Sequence, residues 1–192
     1  MTTAFTLAAG TSQFTTSTVT TAGAAVGLAL LGTEHWRWYK GGASAGPGGG
    51  GGRDPKALIP FWFGLTFGIL MVACPSGALG DLAGILRWGG NGAGGTVMGF
   101  FTGQDPATIA TASAPTLDGY GATVVTALVI VLWLLRKQFA KLIKGKWWKG
   151  VATGALLCFS TGVAATVAQL VIGNTNGLGR YLFDSIVHGT PL

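Results

Sequence analysis

Charged side chains are scarce in this sequence: Asp, Glu, Lys and Arg make up 9% of its 192 residues. A soluble globular domain typically carries about 25%, so this chain has too few charges to cover a soluble surface. The 49% of hydrophobic residues and the mean hydropathy of +0.53 agree with this. We therefore predict an integral membrane protein that forms a single membrane domain over residues 1–192.

Residue types that carry catalysis and metal binding are also few. The chain has six acids, two histidines and two cysteines, and they form no paired acid and base, zinc motif, nucleophile elbow or Walker loop. Residues 1–32 contain no Lys or Arg, so the start of the chain lacks the positive region of a secretory signal peptide. We expect no enzyme activity, no metal, no cofactor and no small-molecule substrate.

Four apolar stretches approach the length of about 20 residues that a helix needs to cross a bilayer. They cover residues 14–32, 57–77, 119–135 and 151–172. None contains an Asp, Glu, His, Lys or Arg side chain, which argues against proton-coupled transport. The first stretch is the most polar, and the alternative for it is an arm that lies on the surface or is partly disordered. The predicted fold is all-α: a polytopic membrane helix bundle of four transmembrane helices, with short interfacial helices over 79–88 and 178–189.

The connectors between these stretches differ in charge. Residues 33–56 hold four of the twelve basic residues and residues 136–150 hold six, whereas residues 78–118 and the tail hold one each. If the chain alternates across a membrane, the two basic connectors share a side, which the positive-inside rule makes cytoplasmic. We predict a multi-pass protein of the cell membrane, with 78–118 as an outer loop and 41–52 as a Gly-rich cytoplasmic linker. Both termini lie outside if the first stretch spans.

The two basic connectors interleave cations with aromatic rings, as in WRWYK and KGKWWKG. Orientation of the chain is the simplest role for them, but the same pattern suits anionic lipid headgroups or the phosphates and bases of a nucleic acid. The residue types do not separate these partners. The candidate contact residues are Arg37, Lys40, Arg136, Lys137, Lys141, Lys144, Lys146, Trp147, Trp148 and Lys149.

Small residues recur in the apolar stretches at the spacing used in helix packing. Three GxxxG pairs occur there, and such pairs let two helices approach closely, within one protomer or between protomers. A polar Gln in the fourth stretch suits a hydrogen bond between helices. The candidate packing residues are Gly23, Gly27, Gly64, Gly68, Gly150, Gly154 and Gln169. We expect a homo-oligomer in the lipid bilayer.

The layout resembles a family from actinobacterial mobile elements. Gly- and Ala-rich spans are joined by the basic loops WRWYK and KGKWWKG and by the linker GPGGGGGRDP. In this it is similar to the small hydrophobic plasmid-spread proteins encoded beside the FtsK-like DNA translocase of Streptomyces conjugation. The resemblance implies a role in plasmid transfer, with double-stranded DNA or the translocase as partner, and transfers no functional residue. The alternatives are a phage-type holin or small pore, and a membrane scaffold that binds a protein partner.

Overall fold

The structure is a computed structural model that describes residues 16–43, 54–74, 77–111, 116–135, 137, 146–158 and 162–189. These residues form six α-helices, one 3₁₀ turn and a two-stranded antiparallel ribbon, which confirms the all-α prediction. The elements in chain order are β1 (Thr18–Thr20), α1 (Thr21–Ala43), the 3₁₀ turn (Pro55–Leu58), α2 (Ile59–Ala73), α3 (Ala78–Thr102), β2 (Thr108–Thr111), α4 (Gly119–Leu134), α5 (Lys146–Leu157) and α6 (Gly162–His188).

Helices α2 and α5 form the closest helix pair and run parallel. Gly150 of α5 lies against the backbone of Phe61, and Gly154 lies against the backbone of Leu65, four residues further along both helices. Because α2 and α5 advance together, the chain enters both helices from the same end of the bundle.

Helix α1 runs antiparallel to α5. Gly27 lies beside Leu157 near the end of α5, and Glu34 contacts Lys149 near its start. Helix α3 contacts α1, α2 and α5. Helices α4 and α6 pack against each other, and α6 also contacts α2. The bundle therefore consists of α1, α3 and α2 around α5, with the α4–α6 pair beside α2.

The core is centred on α2, because this helix is apolar and is buried against several neighbouring helices at once. A helix that is hydrophobic on every face is stable only when it is covered on every face. One buried cluster joins α2 to α6 and includes Phe61, Leu65, Ile69, Ala168 and Ile172. A second joins α2 to α3 and α5 and includes Phe67, Met71, Ala83, Trp147 and Val151.

Local sequence signals set several helix ends. Asp54 accepts a hydrogen bond from the Lys56 amide and Pro55 follows it, which is the usual start of a helical segment. Asp118 caps α4 in the same way through the Gly121 amide. Helix α3 ends at a glycine with φ of +65°, a left-handed conformation that favours this residue type.

Two predicted spans correspond to apolar helices. Among the described residues, the segment Pro55–Ala73, 19 residues long, is the one helix whose length and composition suffice for crossing a membrane, and α4 is a shorter apolar helix. They overlap the predicted stretches 57–77 and 119–135. The prediction of four transmembrane helices is not confirmed, and the helix predicted separately at 178–189 is the last part of α6.

The predicted first span, 14–32, does not form one helix. Residues Thr18–Thr20 form β1, in keeping with the strand preference of β-branched residues, and the helix covers Thr21–Ala43 instead. It continues into the predicted connector because Glu34 and His35 pack against α5 and α2. The part of the Gly-rich linker that follows α1 lies outside the described residues.

The predicted outer loop, 78–118, contains a helix of 25 residues where the sequence predicted only a short helix at its start. Glycine disfavours helices, but two of the glycines of α3 lie against neighbouring helices. A Cβ on Gly90 would lie 2.5 Å from the Leu156 side chain, and one on Gly94 would lie 2.5 Å from the Ala22 carbonyl oxygen. Tertiary packing therefore outweighs local preference along α3.

The predicted fourth span, 151–172, is divided between α5, which ends at Leu157, and α6. Arg87 of α3 donates hydrogen bonds to the carbonyl groups of Ala155 and Cys158. The last carbonyl groups of a helix have no partner within it, so the Arg87 side chain satisfies them where α5 ends.

Candidate functional site

The described basic residues of the two predicted connectors lie in the second half of α1, in the 3₁₀ turn (Lys56), after α4 and in the first turn of α5. Arg37 and Lys40 belong to α1, Lys146 and Lys149 belong to α5, and Lys137 follows α4 and is exposed. Three further predicted contact residues lie outside the described residues: Arg136, Lys141 and Lys144.

Three contacts hold α1, the 3₁₀ turn and α5 together at one end of the bundle. The Lys146 Nζ donates to the Ala57 carbonyl oxygen at 3.2 Å, and the Trp38 Nε1 donates to the Asp54 carbonyl oxygen at 3.0 Å. The Lys149 Nζ donates to a carboxylate of α1 at 2.5 Å. We call residues 34–40, 54–57 and 146–149 the basic end.

The acid in the last of these contacts is Glu34, whose side chain is 2% exposed. Its Oε1 lies 2.5 Å from the Lys149 Nζ and 3.7 Å from the Arg37 Nη1. A buried carboxylate requires such partners, because burial of an unpaired charge is strongly unfavourable. The charge of Lys149 is thus neutralised within the chain, whereas the Arg37 side chain is 69% exposed and points outward.

Aromatic rings surround the basic end on its exposed side. The Lys40 ammonium lies 5.1 Å from the centre of the Trp36 ring, which is a cation–π contact. An open groove of about 590 Å³ lies nearby, lined by Gly32, His35, Trp36, Trp38 and Tyr39. The exposed rings of this end are Trp36, Tyr39, Trp62 and Trp148.

Trp147, predicted as a contact residue, is buried instead. It is 6% exposed, and its ring lies 5.6 Å from the Phe67 ring in the core. The close approach of α5 to Gly64 brings the Trp147 backbone against α2 and its indole into the α2–α3–α5 cluster. Of the two adjacent tryptophans, Trp148 is the exposed one, so Trp148 rather than Trp147 is accessible to a partner.

Two of the three predicted GxxxG pairs lie against each other. A Cβ at Gly64 or Gly68 would collide with the carbonyl oxygen of Trp147 or Val151, respectively. On the opposite helix, a Cβ at Gly150 or Gly154 would collide with the backbone of α2. The interface therefore requires glycine on both sides, and these pairs act within one protomer.

The third pair contacts different helices. Gly23 lies against Asn91 of α3, and Gly27 lies against Leu157 of α5. Gln169, predicted at a helix interface, is on an exposed face of α6. Its position follows from the register of α6, whose neighbouring residue Ala168 takes the buried position.

Sequence reasoning missed Arg87 as an important residue. Its side chain is 2% exposed; its Nε donates to the Ala155 carbonyl oxygen at 2.9 Å and its Nη2 to that of Cys158 at 2.7 Å. Its Nη1 donates to the Ser17 carbonyl oxygen at 3.0 Å. The available signal was its isolation as the one basic residue of 78–118, in a segment otherwise rich in small and apolar residues.

An exposed ion pair lies at the far end of α2. Asp118 Oδ2 accepts from the Arg180 Nη2 at 2.7 Å, and its Oδ1 accepts from the Gly121 amide at 2.8 Å. The hydrogen bond from Gly121, followed by the one from Arg180, lowers the pKa of Asp118 below its ordinary value. Since the Leu117 amide bonds to the Ala73 carbonyl, this pair is at the opposite end of α2 from the basic end.

The described part of the chain contains no group of three or more His, Cys, Asp or Glu side chains arranged to hold a metal ion. No protein-family model, curated protein or solved structure matches the sequence. The resemblance to plasmid-spread proteins therefore stays a prediction.

Proposed function

We propose that this protein is a non-enzymatic, multi-span protein of the cell membrane. The proposal is supported by large apolar side chains that remain exposed on α3, α4 and α6, because an extended apolar surface needs lipid or protein against it. They include Phe100, Phe101, Ile130, Leu134 and Ile186. Helices suit a bilayer because their backbone polar groups are bonded within the segment.

Four crossings are the proposed arrangement: α1, α2, α4 and the α5–α6 pair that replaces the fourth predicted span. The basic end is proposed to face the cytoplasm. The observation that carries this orientation is the meeting of both basic connectors at one end, through Lys146 with Ala57 and Lys149 with Glu34. The exposed Trp and Tyr rings there suit the headgroup region of a membrane.

The proposed role of the basic end is contact with double-stranded DNA, or with the translocase that moves it, in plasmid transfer. The resemblance described above motivates this role. The exposure of Arg37 at the basic end, and of Lys137 after the last turn of α4, supports it, since outward cations attract phosphate groups and release their counterions. A homo-oligomer is the proposed assembly, with exposed apolar faces of α3 and α6 available to a second copy.

Topology is tested by single-cysteine labelling in a Cys74→Ala and Cys158→Ala background. Trp148→Cys at the basic end is expected to react with a membrane-impermeant maleimide only after cells are opened. Thr116→Cys, exposed near the far end of α2, is expected to react in intact cells. Labelling of Trp148→Cys in intact cells would contradict the orientation, and recovery of the chain from the soluble fraction would contradict membrane insertion.

DNA contact is tested with detergent-solubilised protein and a double-stranded fragment over a salt series. For the combined variant Arg37→Gln, Lys137→Gln and Lys146→Gln, we expect weaker binding and a salt slope reduced by about one for each phosphate that the protein no longer neutralises. The control is Arg180→Gln, an exposed arginine at the other end.

Three outcomes of this comparison are informative. Weaker DNA binding by the combined variant alone supports the proposal. Equal DNA binding by the variant and the control contradicts it. The third outcome comes from binding of the same proteins to vesicles of anionic phospholipid. If the combined variant binds these vesicles more weakly but binds DNA normally, the proposal is contradicted and the basic end is assigned to the membrane surface.

A further inference from the structure

Two polar side chains of α3 hold the N-terminal segment Thr16–Thr20 beside the end of α5. We propose that Arg87 and Asn91 form a latch, meaning a pair of side chains that joins β1 to the C-terminal end of α5 so that the two open together. The inference concerns a conformational device, and it stands whether or not the basic end binds DNA.

The Arg87 half of the latch contacts two separate segments at once. Its planar guanidinium presents donors in fixed directions, and these reach the Ser17 carbonyl before β1 and the Ala155 and Cys158 carbonyls at the end of α5. A buried cation must keep its hydrogen-bond partners. Displacement of either segment therefore removes partners that help to hold the side chain in place for the other.

The Asn91 half lies one turn further along α3 and holds the strand. Its Oδ1 accepts from the amide and the hydroxyl of Thr20, both at 3.1 Å, and its Nδ2 donates to the Thr18 carbonyl at 3.0 Å. The Thr16 amide adds a bond to the Gly84 carbonyl on the same helix. Within the described residues, the Asn91 hydrogen bonds all go to the strand side of the latch.

Coupling follows from this division of contacts. If Asn91 releases β1, the Ser17 carbonyl moves away from Arg87, and the guanidinium loses one of the three bonds that fix its position. The end of α5 is then held less firmly, although the hydrogen bonds of Asn91 go to β1 and not to α5. Displacement of the N-terminal segment by a partner would thus loosen the end of α5, where the predicted fourth span is divided.

The native thiol of Cys158 reports on this coupling, because it is 1% exposed and its own carbonyl accepts from Arg87. In full-length Cys74→Ala protein in detergent, we expect Asn91→Leu to raise the rate of Cys158 modification about tenfold, which corresponds to about 1.4 kcal/mol in the opening equilibrium. Amide exchange in β1 should rise with it. The control is Thr96→Ala, whose hydroxyl bonds back to the Gly92 carbonyl on the exposed side of α3.

The outcomes separate coupling from independent contacts. Faster exchange in β1 with an unchanged Cys158 rate would overturn the coupling, and no change in either would show that Asn91 does not hold the strand. In Arg87→Ala, added guanidinium ion at sub-denaturing concentration is expected to slow Cys158 modification, whereas sodium chloride is not. Absence of this rescue would overturn the role of the guanidinium, and if Arg87→Ala does not fold, the Asn91→Leu comparison decides.

Discussion

Glu34 and Arg87 are buried charged side chains near opposite ends of α5, and the chain satisfies them in different ways. Glu34, near the start of α5, is paired with Lys149 and lies close to Arg37. Arg87, at the end of α5, is surrounded by backbone carbonyl groups from two segments. Each is 2% exposed. The first end is held by a charge pair with exposed partners, and the second by hydrogen bonds to the backbone.

The signs of both charges also suit the helix between them. A helix carries partial positive charge at its N-terminus and partial negative charge at its C-terminus. An anion beside the first half of α5 and a cation at its last carbonyl groups both complement that dipole. Helix α5 is therefore fixed at both ends, but by interactions that respond differently to salt and to substitution.

The largest expected effect follows from removal of the Arg87 side chain. Arg87→Met leaves three carbonyl groups without their donor, and we expect the free energy of unfolding to fall by about 3 kcal/mol. Unfolding by denaturant in detergent measures this, and the loss should be the same in low and high salt. Arg87→Lys should recover only part of it, because an ammonium lacks the planar fork of donors. If Arg87→Met were as stable as the native chain, the hydrogen bonds of Arg87 would not be what holds the end of α5.

The next effect concerns the glycine contact that places α5 against α2. Gly154→Ala introduces a Cβ that collides with the Leu65 carbonyl oxygen, and we expect a loss of about 1–3 kcal/mol in the free energy of unfolding. Gly89→Ala is the matched control, because a Cβ there meets no atom within 4 Å. Equal thermal midpoints for the two variants would show that close packing of α2 and α5 is not required.

A smaller effect is expected at the other end of α5. Glu34→Gln removes the ion pair, and because the Lys149 side chain is 39% exposed we expect a loss of about 1 kcal/mol. High salt should diminish the difference from the native chain. The exchanged pair Glu34→Lys with Lys149→Glu should recover part of the loss. A salt-independent difference would mean that Glu34 acts through packing rather than charge.

The smallest effect is expected for the exposed pair of Asp118 and Arg180. Because the pKa of Asp118 is lowered in the folded chain, its stabilising contribution is present above the unfolded pKa of about 3.9 and is lost as pH falls through the folded value. The thermal midpoints of the native chain and of Asp118→Asn should therefore differ near neutral pH, begin to converge as pH falls below about 4, and meet below the folded pKa of Asp118. Midpoints that differ equally at all pH values would contradict the assignment.

Several features of this protein could be predicted from the sequence by itself. The all-α class, the apolar helix after Pro55 and the helix from Gly119 follow from composition and from capping residues, which act over a few neighbouring positions. The GxxxG spacing also identified Gly64, Gly68, Gly150 and Gly154 as packing residues. Which pair faces which was not predictable, because identical spacings are interchangeable until the helices are placed.

Three features arise from tertiary contacts that no local pattern in the sequence predicts: the length of α3, the division of the fourth predicted span and the burial of Trp147. Each depends on a contact between residues far apart in the chain: Arg87 and Ala155 are separated by 68 positions, and Asn91 and Thr20 by 71. Local preference favours a break at the glycines of α3 and continuity across residues 151–172. Packing against α1 and the hydrogen bonds of one buried guanidinium reverse both outcomes, since their partners meet only in the folded bundle.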